Sequence, residues 1–203
     1  MNFPLITQHI KPRSVLDIGA HTGGWYRDAV QHWPDAYYFL IEGNPACASA
    51  LADTGVSHRI ALLSDREKDV TFHTRQGIPA ASGDSYLREK TPFYADEHLV
   101  STTMETRRLD DVCEGCVFDL VKLDTQGSEL DIMRGGENIM RMAKAVVIEV
   151  SHVEYNEGAP SEETVSGHLR SLGFRPVEVV ERLNYCLPPH HHIQSSVLFL
   201  KQP

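Results

Sequence analysis

Two acids at the ends of apolar runs are the residues in this chain best spaced for chemistry. Asp17 sits in the run Val15-Leu16-Asp17-Ile18, just before the turn Gly19-Ala20-His21-Thr22-Gly23, and Glu42 ends the run Tyr37-Tyr38-Phe39-Leu40-Ile41. A strand, a helix and a second parallel strand bring two such ends together at one sheet edge, where nucleotide-like ligands bind. A turn built for pyrophosphate needs Gly-x-Gly-x-x-Gly, so that backbone amides can approach the phosphates. Here the second glycine is absent. The Asp17 carboxylate would repel pyrophosphate and attract an ammonium group, and Glu42 suits the two hydroxyls of a ribose. A ligand with both an amino-acid tail and a ribose, S-adenosylmethionine above all, answers both acids. The plainer alternative is that Asp17 caps the turn and Glu42 is a solvated strand end.

A second constellation runs Val121-Lys122-Leu123-Asp124-Thr125-Gln126-Gly127-Ser128-Glu129. A strand ends in Asp124, a glycine turn follows, and Glu129 falls in the first turn of a helix, where the helix dipole favours it. Asp124 is expected to border the reactive end of the cofactor. The Asn/Asp-Pro-Pro-Tyr turn of amine-methylating enzymes is missing, which argues against transfer to exocyclic base nitrogens. Transfer to an alcohol needs a proton acceptor or a metal. His152, just past a strand end, is the leading base candidate, with Glu149 as the group that orients it; the alternative is a loop histidine making a local hydrogen bond. No metal is expected: Cys113-x-x-Cys116 is half of a zinc pattern, Cys186 and His190-His191-His192 stand far off in sequence, and a solvated loop accounts for the histidines.

These residues need a frame. Apolar runs and helical patterns alternate from residue 14 to about 150, the signature of a doubly wound α/β sheet. Strands are expected at Ser14–Ile18, Tyr37–Glu42, 57–62, 118–123 and 145–150, with helices at Gly24–His32, 128–142 (broken at Gly135-Gly136) and 161–172. Two last strands, 175–181 and 196–200, are joined without a helical pattern and so should pair antiparallel. Residues 70–72 add an extended piece. Residues 76–103 are polar and rich in Gly and Pro, as expected of a lid. The 13 residues before the first strand are too few for a helical lid, so closure must come from 76–103, from 151–160 or from the C-terminal hairpin loop. Tyr86, Phe93, Tyr94 and Tyr155 lie in these segments and could stack on an acceptor or anchor their loops.

With 203 residues and 41% hydrophobic content, the chain fits one globular domain over 1–203. Its 19 Lys and Arg against 28 Asp and Glu give a net charge of −9 with no basic cluster, which excludes an ordinary nucleic-acid binder. No run is long enough to span a bilayer, the first residues do not read as a signal peptide, and the four cysteines form no secreted framework, so a cytoplasmic setting is expected.

Leu16-Asp17-Ile18-Gly19-Ala20, Ile41-Glu42-Gly43-Asn44-Pro45, Arg108-Leu109-Asp110, Lys122-x-Asp124-x-x-Gly127-x-Glu129 and Ile148-Glu149 occur in an order that resembles the FkbM-type methyltransferases. The resemblance covers about residues 14 to 152 and is most specific in the Lys-x-Asp-x-x-Gly-x-Glu element. It implies a class I, Rossmann-like fold, a mostly parallel sheet with an antiparallel C-terminal strand, and S-adenosylmethionine as cofactor. The implied acceptor is a small hydroxylated molecule: a sugar, lipid or polyketide. It further implies that Gly19, Ala20 and His21, with Gly23 closing the turn, wrap the methionine part. Glu42 would hold the ribose with Asn44 beside it, Leu62, Leu63 and Ser64 would flank adenine, and Asp124 would lie near the amino group or the methyl. Family members often carry Glu where this chain has Gln126, a change that removes a charge. Two other classes remain open from sequence: a nicotinamide oxidoreductase on the same fold, which the glycine turn disfavours, and a domain that binds cofactor without turnover.

Overall fold

The structure is a computed structural model and describes residues 1–183 and 193–202. A short helix, α1 (Phe3–His9), comes first; Pro4 starts it and the Asn2 side chain caps it by accepting from Leu5 N–H at 3.1 Å. It was not legible as a helix in sequence. Phe3 on α1 stacks against His32 and meets Trp25 and Trp33, so α1 is packed onto the back of the domain.

β1 (Ser14–Ile18), α2 (Gly24–His32) and β2 (Tyr37–Glu42) form the first crossover, and α3 (Ala48–Ala52) leads into β3 (Ser57–Ile60). β3 is shorter than the expected 57–62. After Ala61 the chain leaves the sheet edge and forms β4 (Leu63–Ser64), which later pairs with β7 (Arg107–Arg108). Between them, β5 (Asp69–Arg75) and β6 (Leu99–Glu105) form an antiparallel ribbon, so the expected 76–103 loop is in fact a hairpin whose connection is 76–98. α4 (Leu109–Val112) then leads to β8 (Leu120–Leu123), α5 (Glu129–Gly135), α6 (Glu137–Met142), β9 (Ala145–Ser151), α7 (Glu162–Ser171), β10 (Phe174–Leu183) and β11 (Gln194–Lys201). The helix expected over 128–142 does break at the glycine pair. A Cβ at Gly135 would overlap the Ser64 carbonyl, so close contact with β4 requires glycine there.

The main sheet has the order β3-β2-β1-β8-β9-β11-β10. It is parallel from β3 to β9, and β11 runs antiparallel between β9 and β10, as expected for the last two strands. Helices cover both faces, which is why the central strands are apolar on both sides. Leu16, Ile18, Val121, Leu123, Val146 and Ile148 face α5 to α7, whereas Val15, Leu120, Val147 and Leu198 face α1 and α2. Strand order reverses between β1 and β8, and a ligand crevice is expected at the carboxyl ends there. Among the described residues no helix is long and apolar enough to cross a membrane.

Candidate active site

A cavity of about 690 Å³ opens at that switch point, a size suited to a cofactor-sized ligand. Ile18, Ile41, Glu42, Asp124 and Glu149 bring the ends of β1, β2, β8 and β9 to its floor. The 76–98 connection covers it with Ala81 to Tyr86, Glu89, Phe93 and Tyr94.

Glu42 is held from behind by backbone. Its Oε2 accepts from the His21 N–H and its Oε1 from the Asn44 N–H, both at 2.7 Å. Each oxygen keeps a lone pair for the cavity, so the carboxylate is aimed as a two-point acceptor. His21 reaches this position with φ 52°, and its Nε2 lies 2.7 Å from the Ala80 carbonyl, tying the turn to the cover. Asn44 accepts from Ala46 N–H and donates to Asp84, which fixes a second cover residue above Glu42. Gly19 has φ +74°, and an added Cβ would overlap the Asp124 carbonyl, so glycine is needed for β1 and β8 to end this close together.

Lys122 organises the centre. Asp17 and Lys122 are register partners on β1 and β8, so their side chains leave the sheet on the same face. The Lys122 ammonium donates to the Gly19 carbonyl at 3.0 Å and lies 3.1 Å from Asp17 Oδ1 and 3.6 Å from Asp124 Oδ2. Both Asp17 oxygens lack a directed hydrogen-bond donor, so this contact is an ion pair without hydrogen-bond alignment. Burial opposes the Lys122 charge, but the Asp17 and Asp124 carboxylates outweigh it and raise the pKa. Asp17 is wholly buried, and burial raises its pKa against the pull of Lys122.

Beyond Lys122 lies a chain of amides and acids. Gln126 Nε2 donates to Asp124 Oδ1 and to Glu149 Oε2, each at 3.2 Å, and Gln194 Nε2 donates to the same Glu149 oxygen at 2.8 Å. Burial, then the Asp124 and Glu129 carboxylates, push the Glu149 pKa well above the usual glutamate range. Glu129 turns back into its own loop, its Oε1 accepting from Thr125 N–H and Oγ1 and from Gly127 N–H. The last acid of the Lys-x-Asp-x-x-Gly-x-Glu element therefore shapes the turn that places Asp124.

Residues 17–176 match the Methyltransferase FkbM domain. The chain belongs to the FkbM methyltransferase family. It is 30% identical over 159 residues to the 2-O-methyltransferase NoeI of Sinorhizobium fredii (71% of this chain, 65% of NoeI). It is 28% identical over 123 residues to the hexuronic acid methyltransferase AglP of Haloferax volcanii (57% of this chain, 47% of AglP). The chain thus spans between about half and two thirds of the length of these relatives. An S-adenosylmethionine-dependent methyltransferase from Clostridium acetobutylicum superposes with a TM-score of 0.52 at 9% identity, covering 94% of this chain and 84% of that one, a likeness of fold.

Against the family frame, the structure gathers Gly19, Ala20, His21, Glu42, Asn44, Leu62, Leu63, Asp124 and Glu149 around one cavity. It does not bring Asp17, Gly23, Ser64 or His152 to its wall. Asp17 was expected to meet a ligand ammonium; it is sealed and faces the protein's own Lys122. Gly23 closes the turn from outside as the residue before α2. Ser64 is buried and hydrogen-bonds to Tyr86 and Asp65.

His152, the expected base, lies off the cavity wall. Its Nδ1 lies 2.8 Å from Glu162 and its Nε2 2.8 Å from Ser195, so both ring nitrogens are engaged away from the cavity. Glu149 does not orient it. Side chains alternate along an extended chain, and an offset of three sends 149 and 152 to opposite faces. Tyr86 and Tyr94 are loop anchors, bonded through their hydroxyls to Asp131 and Asp84. Phe93 is 42% exposed, with the Arg75 guanidinium 4.9 Å over its ring, and Tyr155 also borders the cavity. Sequence reasoning gave no role to Lys122 or Gln194. The signal for Lys122 was present: a lysine inside an otherwise apolar strand must find counter-charges. Cys186 and His190-His191-His192 lie outside the described residues. Among the described residues no three His, Cys, Asp or Glu side chains converge as metal ligands do.

Proposed function

We propose that this chain is an S-adenosylmethionine-dependent O-methyltransferase whose acceptor is a hydroxyl of a sugar or similar small molecule. The observation that carries the reading is the Glu42 carboxylate, pinned by two backbone N–H groups with a lone pair on each oxygen turned to the cavity. That arrangement fits a vicinal diol such as the ribose of the cofactor. Leu62 and Leu63 offer an apolar wall for the adenine, and Asn44 steadies the cover above the ribose. The Gly19 to His21 turn, with Asp124 opposite, leaves room for the methionine part. When bound, the cofactor supplies an electrophilic methyl group on a sulfonium. The protein's task is then to align an acceptor oxygen and to remove its proton.

The relatives' names support a hydroxyl acceptor: one is a 2-O-methyltransferase and one acts on a hexuronic acid. Phe93 and Tyr155 border the cavity, and Arg75, which lies over the Phe93 ring and within the field of Glu89, provides a cation at the wall. Among the described residues the wall otherwise carries Glu42, Asp84, Glu89, Asp124 and Glu149, with only Lys122 as a further Lys or Arg, which disfavours a polyphosphate chain. Cys47, Cys113 and Cys116 are free thiols, in keeping with the cytoplasm. Calorimetric titration with S-adenosylmethionine and with NADH tests the cofactor, and release of S-adenosylhomocysteine in the presence of simple pyranosides tests the reaction. Binding of NADH in preference to S-adenosylmethionine would overturn the reading.

A further inference from the structure

We propose that Glu149 accepts the proton of the acceptor hydroxyl, and that it does so at one defined atom, Oε1. This rests on the methyltransferase reading above. Glu149 is only 5% exposed, yet it borders the cavity. Its Oε2 accepts two N–H groups, from Gln126 and Gln194. A carboxyl oxygen has two in-plane lone pairs, so those two donors leave no place for a proton on Oε2. Oε1 has no hydrogen-bond partner among the described residues and is not among the buried atoms sealed without one. The free oxygen is therefore the one that opens on the cavity.

The other acids at the cavity are committed. Glu42 is taken by two backbone amides, and Asp84 accepts from Tyr94, Asn44 and the Arg75 N–H. Glu89, also raised by burial, is hydrogen-bonded by the Thr91 and Tyr155 side chains, and Asp124 is shared between the Lys122 ammonium and Gln126. Glu149 is faced by Asp124 and Lys122 from β8, Glu129 from α5 and Glu181 from β10, and with burial their balance holds its proton affinity high. A carboxyl tuned upward is a better proton acceptor near neutrality than an ordinary one.

In the step, the acceptor oxygen forms its bond to the methyl carbon while the carbon–sulfur bond breaks. Sulfur keeps the bonding pair, and the hydroxyl proton passes to Glu149 Oε1, from which it leaves to solvent through the open cavity. Gln126 and Gln194 are positioning residues: they hold Oε2 and so fix which oxygen reacts.

The test uses Glu149→Gln, whose amide oxygen can take the place of Oε2 under both glutamine donors while its NH2 faces the cavity. Transfer from S-adenosylmethionine to methyl glucopyranoside and to methyl glucopyranosiduronate is followed across pH. The wild-type rate should rise through a one-proton limb, and the variant should lose that limb with kcat down about 100-fold or more and unchanged cofactor affinity. Gln194→Leu removes a donor to the ionised form and should move the limb to higher pH. Independently of any acceptor, the Glu149 carboxyl carbon, assigned by NMR against the variant, should titrate well above ordinary glutamates. An ordinary titration, or a variant with wild-type kcat and pH profile, overturns the proposal. Cofactor binding without transfer to either glycoside counts against the sugar reading instead, and the NMR titration still decides Glu149.

Discussion

Glu42→Gln is the smallest change that asks whether the cofactor is gripped as the geometry implies. The glutamine is nearly isosteric, but it has one acceptor oxygen where the site uses two. His21 and Asn44 each present an N–H at 2.7 Å to a different Glu42 oxygen. Whichever way the amide turns, its NH2 therefore meets a backbone donor, and one ribose hydroxyl loses a charged acceptor. A hydrogen bond to a charged group is worth about 1.5–3 kcal/mol. At about 1.4 kcal/mol per tenfold, cofactor affinity should fall by roughly 10- to 150-fold. Titration calorimetry with S-adenosylhomocysteine reads this directly, with a thermal melt to show that the variant is folded. Glu42→Asp keeps the charge and shortens the reach, so it should fall between the two. An affinity for the folded Gln variant that matches the wild type would refute the diol assignment.

Lys122→Met leaves Asp17 sealed with no counter-charge and should cost about 3–5 kcal/mol in urea unfolding, with much of the loss recovered in the Asp17→Asn, Lys122→Met double variant; equal stability of wild type and single variant would show that the ion pair is not needed. Because the folded-state pKa of Glu149 is raised by burial, the folded protein holds a proton that the unfolded chain releases in the ordinary glutamate range. Stability should therefore fall as pH rises from that range through the folded pKa, and Glu149→Gln should flatten the slope by about one proton; a slope unchanged by the substitution contradicts the assignment. His152→Ala should lose about 1 kcal/mol with its Glu162 and Ser195 contacts while turnover stays near wild type. A large loss of turnover without a change in stability would return His152 to the reaction.

The parallel sheet was legible because its strands are buried on both faces and end in turn chemistry that repeats, as in Ile18-Gly19 and Leu123-Asp124. Cavity-wall residues on strand ends, Glu42 and Asp124 among them, were legible for the same reason. What sequence missed depends on contacts between distant segments. β6 has four consecutive exposed residues, so nothing in its pattern announced that it pairs with β5. α1 is seven residues long, too short for periodicity to register, and is held by Phe3 against α2. Gln194 enters the site only because β11 inserts beside β9, where it opposes Ser151 and reaches diagonally to Glu149. Asp17 and His152 show what spacing along the chain leaves open: each sits near a strand end, but the side chain turns to Lys122 in one case and to Glu162 and Ser195 in the other, away from the cavity wall.

Four acids crowd one sheet edge in a domain that is already acidic, and each is accommodated by a different device. Asp17 has an ammonium, Glu42 has two backbone N–H groups, and Asp124 has a share of Lys122 and an amide. Glu149 has two amides on one oxygen, and burial with the neighbouring carboxylates raises its pKa while the other oxygen stays without a partner among the described residues. The devices decide what each acid can do. Ion pairing by Lys122 removes Asp17 from chemistry and turns it into scaffold. Backbone donors hold Glu42 with a lone pair to spare on each oxygen, which suits binding. Glu149 combines a raised pKa with an oxygen that has no partner among the described residues. Gln126 matters for the same reason: an acid at that position would add a further charge between Asp124 and Glu149, whereas the amide gives each of them a donor and lets the two carboxyl groups face one cavity.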